Sequence, residues 1–97
     1  HDALPIFLTQ TRFRRYADTM TVSAYILIQA EVGAALEVAT AAKSLTGVVF
    51  VDAITGQYDV LVKVEADTMD ELGKSVVSDV QKISGITRTL TCPVVNL

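Results

Sequence analysis

The run Val48-Val-Phe-Val-Asp-Ala-Ile-Thr-Gly-Gln-Tyr-Asp-Val-Leu-Val-Lys-Val-Glu65 holds two β-prone segments around a glycine turn. β-Branched and aromatic residues dominate both segments, and Gly56 supplies the residue type that a tight reversal needs. The pattern predicts a hairpin. In its second strand Tyr58, Val60, Val62 and Val64 share one face, and Asp59, Leu61, Lys63 and Glu65 share the other. A slip of one residue would exchange the faces, so the register is well specified.

Upstream of this hairpin, Thr21 to Ala30 is a further β-prone segment. Ala24, Ile26 and Ile28 face one side of it, and Tyr25 and Leu27 the other. After Gly33 the sequence turns Ala-rich, with Ala35, Val38, Ala42 and Leu45 recurring at helical spacing until Gly47. Downstream, Asp67 occupies an N-cap position, Asp70 and Glu71 complement the dipole of a first turn, and Leu72, Val76, Val80 and Ile83 form an apolar stripe. Ser84-Gly85 ends this second helix. Ile86 to Cys92 is β-branched enough for a last strand, and Pro93 keeps it from continuing as a central one.

The order is βαββαβ, and the two halves echo each other. Tyr25-Ile-Leu-Ile-Gln-Ala-Glu31 is similar to Asp59-Val-Leu-Val-Lys-Val-Glu65, and Leu45-Thr-Gly-Val48 to Ile83-Ser-Gly-Ile86. Two interleaved βαβ units of this kind predict an α+β, ferredoxin-like fold, a four-stranded antiparallel sheet with both helices on one face. The other face would then carry Tyr25, Leu27, Phe50 and Leu61, which a sheet does not leave in water. Packing against a second copy covers them, so these four are the expected dimer interface of a dimeric α/β barrel.

Ninety-seven residues support one such core, and 51% hydrophobic against 20% charged is rich for so short a chain. A net charge of -3 argues against direct nucleic-acid binding, since Arg12, Arg14 and Arg15 form the only basic cluster and lie in a peripheral segment. One cysteine allows no intrachain disulfide and no metal-ligand spacing, which fits a cytoplasmic protein. No apolar run approaches the roughly 18 residues needed to cross a bilayer. The chain opens on His1, and regular patterning begins only after Met20, so residues 1–19 are read as an added or flexible N-terminal extension and 20–97 as the domain.

Catalytic chemistry leaves thin traces. The sole histidine is the first residue, and Cys92 has no histidine partner and reads as a small buried hydrophobe. Asp52, Asp59 and Glu65 are strand carboxylates, of a kind that is commonly solvated or bonded to backbone. The five glycines are spread over turns and caps and form no phosphate loop. The expectation is a binding and assembly module, without catalytic residues, metal or cofactor. Two features suit a ligand. Thr55-Gly56-Gln57-Tyr58-Asp59 brings backbone N–H groups, a phenol and a carboxylate together, a set able to hold the ammonium and carboxylate of an amino acid. Thr89 and Thr91 place two hydroxyls on one side of the last strand.

The series Thr-Gly-Gln-Tyr-Asp-Val-Leu-Val-Lys-Val, an Asp-capped helix, and Ser-Gly-Ile-Thr-Arg-Thr-Leu-Thr resembles the effector-binding domain of the Lrp/AsnC regulators, over about Thr21 to Val95. The resemblance implies that Gly56, Tyr58 and Asp59 supply an effector loop with Thr89 and Thr91 near it, while Gln57 stands where an acidic or polar residue often occurs. It further implies a small-molecule effector, an amino acid, and a homodimer assembling to an octamer or decamer. That family joins this module to an N-terminal helix-turn-helix reader of about 60 residues, for which this chain has no room, so the stand-alone form is expected. Alternatives are a small monooxygenase-like barrel enzyme of the same fold order, and a structural partner of full-length Lrp/AsnC regulators.

Overall fold

The structure, a computed structural model, describes residues 21–97. The expectations for residues 1–19 and the arginine cluster lie outside the described residues. Strand β1 (Val22–Ala30) leads to helix α1 (Ala35–Lys43), then to β2 (Val48–Ala53) and β3 (Val60–Ala66). A second helical segment, α2 (69–81), precedes β4 (Ile86–Pro93). The sheet order is β2-β3-β1-β4 with every pairing antiparallel, which is the α+β ferredoxin-like arrangement read from the sequence.

The alternation in the central strands divides the molecule into two sides. Ala24, Ile26 and Ile28 of β1 and Val60, Val62 and Val64 of β3 are fully buried beneath the helices, and Val38, Ala39 and Ala42 of α1 and Leu72, Val76 and Val80 of α2 close over them. Pairing of Ile26 with Val62 and of Ile28 with Val60 puts branched side chains directly opposite one another, the arrangement that packs best on a pleated surface. β4 is an edge strand, so the missing N–H of Pro93 at its end costs no ladder bond inside the sheet.

Several boundaries differ from expectation. The N-cap of α2 is Thr68, one residue after Asp67. The Thr68 hydroxyl oxygen accepts from Glu71 N–H at 3.0 Å while Glu71 Oε1 accepts from Asp67 N–H at 3.3 Å. This is a capping box displaced by one residue at its return arm, and it wins because it satisfies two amide donors at once. Within α2, Leu72–Val77 is wound as π-helix. Leu72, Val76 and Val80 recur every four residues, a row that drifts by about 40° per step on a regular α-helix. The wider π turns take up part of that drift, so all three reach the core. α1 ends at Lys43, before Gly47, and β3 begins at Val60, which leaves Tyr58 and Asp59 in the connecting loop.

The internal echo is carried into the backbone. Two residues after Gly47, Val49 is an extra residue on β2 opposite the Lys63–Val64 step; two residues after Gly85, Thr87 is an extra residue on β4 opposite the Gln29–Ala30 step. Both glycines have positive φ, +92° and +96°, where a side chain would strain the turn that feeds each bulged strand.

Candidate functional site

The loop 54–59 joins β2 to β3 at the end of the sheet where β1 also finishes. Gly56, at φ +125° with open space around it, makes the reversal. Ile54 N–H donates to the Asp59 carbonyl at 2.9 Å and closes the loop, and Asp59 N–H donates to the Ile28 carbonyl at 2.8 Å, holding the end of the loop against β1. Alternate residues of a strand direct their backbone groups to the same neighbour, so Ala30 N–H faces the chain that is leaving the sheet. There the Asp59 carboxylate takes the place of a backbone acceptor, with Oδ2 accepting from Ala30 N–H at 2.8 Å. Asp59 is thereby a staple of the loop as well as a candidate ligand group.

Of the residues singled out in the sequence, Gly56, Gln57, Tyr58 and Asp59 lie together, Gly56 and Gln57 exposed and Tyr58 and Asp59 half-buried. The backbone N–H groups of residues 55–58 have no acceptor among the described residues. Thr89 and Thr91 do share one side of β4, but they pair with Ile28 and Ile26 and so sit on the helix-covered side of the sheet. Gln81 Nε2 donates to Thr89 Oγ1 at 3.4 Å. Thr89 is level with the foot of the loop, and Thr91 lies two residues further along the strand. Two polar residues absent from the sequence reading also meet here: Gln29 Nε2 donates to the Gln57 carbonyl at 3.3 Å, and Thr87 Oγ1 lies 3.2 Å from Gln29 Oε1.

The open face of the sheet carries all four residues expected there. Leu61, Leu27 and Leu90 lie side by side across β3, β1 and β4, with Asp52 of β2 beside Leu61. The adjacent row is Phe50, Lys63, Tyr25 and Cys92. Tyr25 and Phe50 rings are 6.4 Å apart and Lys63 Nζ lies 5.7 Å from the Tyr25 ring. Leu90 is 46% and Phe50 38% exposed. Cys92, read as buried, is exposed, because β4 turns it away from the helices. A broad groove of about 650 Å³ at the opposite end of the sheet from the loop is lined by Ser23, Lys63, Glu65 and the tail from Pro93 to Asn96. Among the described residues no group of three or more His, Cys, Asp or Glu could hold a metal, and no helix is long and apolar enough to cross a membrane.

Residues 23–96 match the family model of the Lrp/AsnC ligand binding domain. The chain belongs to the Lrp/AsnC family. Over 72 residues it is 33% identical to an uncharacterized HTH-type transcriptional regulator of Pyrococcus furiosus, a match covering 71% of this chain and 48% of that protein. This Lrp/AsnC domain therefore spans about half the length of the curated relatives it matches. The structure of Escherichia coli AsnC superposes with a TM-score of 0.71 at 25% identity, covering 78% of this chain and 52% of that one. A Neisseria meningitidis regulator, solved as a complex with L-Met, shares the fold with a TM-score of 0.69 at 18% identity, covering 84% of this chain and 54% of that one. The relatives are named as transcriptional regulators and the matched domain as ligand-binding, so the chain is a regulator-type effector-binding module by family.

Proposed function

We propose that this chain is a non-enzymatic, cytoplasmic module that binds an amino acid at the loop 54–59 and couples binding to assembly. The observation that carries the reading is the set of four successive backbone N–H groups, residues 55–58, that lack an acceptor among the described residues. Successive amides around a glycine form a concavity suited to a carboxylate. Asp59 Oδ1, whose sister oxygen is held by Ala30, offers the opposite charge to an ammonium, and Tyr58 adds a phenol. Gln57 and Gly56 form the tip, while Thr89 stands level with the foot of the loop on the helix-covered side of β4 and Thr91 two residues further from it. That a regulator of the same fold was solved with L-Met supports the class of ligand.

Assembly follows from the open face. Tyr25, Leu27, Phe50 and Leu61, joined by Leu90, form an apolar surface that a second copy covers, giving a dimeric barrel that builds octamers or decamers. Full-length Lrp/AsnC regulators are candidate partners through the same surface. Light scattering on the native protein, with each of the twenty L-amino acids in turn, tests the reading. The expected result is a ring of dimers whose mass or melting temperature responds to one of them. A mass indifferent to all twenty, with no thermal shift, overturns it.

A further inference from the structure

We propose that Gln29 is the positioning residue of the loop 54–59, anchored by the bulged Thr87 and acting through the Gln57 carbonyl. Both halves of the repeat have a bulge two residues after a glycine, so the bulges themselves belong to the shared architecture. What differs is the side chain each one delivers. A bulge disrupts the ladder locally, leaves the extra residue unpaired and re-aims its side chain. On β4 the Thr87 hydroxyl meets the Gln29 carbonyl at 3.1 Å and Gln29 Oε1 at 3.2 Å, its one proton shared between the two acceptors.

That contact orients the carboxamide. With Oε1 turned to Thr87, the Nε2 group faces Gln57, whose carbonyl can only accept, and donates at 3.3 Å. The corresponding positions of the other half are Val49, with no hydroxyl, and Lys63, whose ammonium lies against the Tyr25 ring. The hydroxyl and carboxamide thus occur only in the half that abuts the loop. The loop's two feet, Ile54 and Asp59, are tied to each other and to β1, but Gln29 is the sole side chain, among the described residues, bonded to residues 55–58. The tip therefore depends on it. The consequence for ligand affinity rests on the effector reading above; the consequence for loop order does not.

The test is backbone ¹⁵N relaxation on the ligand-free protein and on Gln29→Met, Gln29→Glu and Thr87→Val. Order parameters at Gly56 and Gln57 near the rigid value of about 0.85 should fall below about 0.6 in Gln29→Met and Gln29→Glu, since neither can donate to the Gln57 carbonyl. Thr87→Val should give a smaller fall, and Gln29→Met/Thr87→Val together no more than Gln29→Met alone, because both act through one carboxamide. Unchanged β1 and β3 amide shifts verify the fold. Wild-type order at the tip of Gln29→Met, or of Gln29→Glu, overturns the proposal. If wild type binds one of the twenty L-amino acids, Gln29→Met should weaken it about fivefold, the effect of one hydrogen bond. If it binds none, the effector reading fails while the order parameters still decide the role of Gln29.

Discussion

The backbone N–H of Glu31 donates to the carbonyl of Gly85 at 2.8 Å. Glu65 N–H makes the same bond, at the same length, to the carbonyl of Gly47. Each tie thus joins a residue at the end of a central strand in one half to the glycine that precedes the neighbouring outer strand, which belongs to the other half. The directly paired Leu27 and Leu61 lie midway between the two ties.

These glycines are unequal in the space around them. A Cβ at Gly47 would meet Val76 Cγ2 at 2.7 Å and the Glu65 carbonyl at 3.2 Å; at Gly85 it would meet Ala34 Cβ at 3.2 Å and Val38 Cγ2 at 3.3 Å; at Gly33, also of positive φ, it would meet nothing. Alanine substitution should cost about 1 kcal/mol at Gly33, from backbone strain alone, about 2 at Gly85, and about 3 or more at Gly47, where a buried valine must also move. Urea denaturation of the three variants should give this ranking.

Gly73 behaves oppositely. It lies inside α2 without positive φ, and an added Cβ would enter open space. Gly73→Ala should stabilise by about 0.5–1 kcal/mol through the lower entropy of the unfolded chain, read as a higher denaturation midpoint at unchanged slope.

Asp59 separates a structural from a binding contribution. Asp59→Ala leaves the Ala30 N–H without its acceptor and should cost about 1–2 kcal/mol, whereas Asp59→Asn keeps an acceptor oxygen and should cost less than about half as much. If the carboxylate charge meets a ligand ammonium, Asn should impair amino-acid binding as severely as Ala. Paired denaturation and calorimetric titrations would separate the two effects.

On the open face, Leu90→Glu should change the stability of an isolated chain by no more than about 0.5 kcal/mol, because the side chain is already half in water. Introduced into an interface between copies, the same carboxylate would be desolvated without a partner. The expected outcome is a native mass reduced to that of a single chain, measured by light scattering, with the circular dichroism spectrum retained.

The central strands were legible because burial of alternate residues is a periodic signal. Alternation alone assigns Ala24, Ile26, Ile28, Val60, Val62 and Val64 to one side, and Tyr25, Leu27 and Leu61 to the other. The hairpin loop was legible for the same reason, since a glycine between two such runs has few alternatives. Thr89 and Thr91 show the limit of this reasoning. Alternation puts them on a common side but does not say which, and the choice depends on how β4 registers against β1. Leu90 could have been found as the residue between them. Gln29 and Thr87 were not legible, because their meeting depends on a bulge that shifts the register by one residue and leaves no mark in hydropathy. The displaced capping box escaped for a similar reason: Asp67 and Thr68 are both good caps, and the choice between them turns on where the Glu71 carboxylate can reach.

The repeat has a consequence for anything that lies on the open face. A half turn about the Leu27–Leu61 pair carries the place of Lys63 onto that of Gln29, and the place of Phe50 onto that of Arg88. A visitor would therefore meet nearly the same backbone in either of two poses, a built-in ambiguity of fit. The side chains remove it. One flank offers two rings and a cation over one of them, and the other a carboxamide, a guanidinium and the polar loop, so the molecule tells its own front from its back by chemistry where its geometry does not.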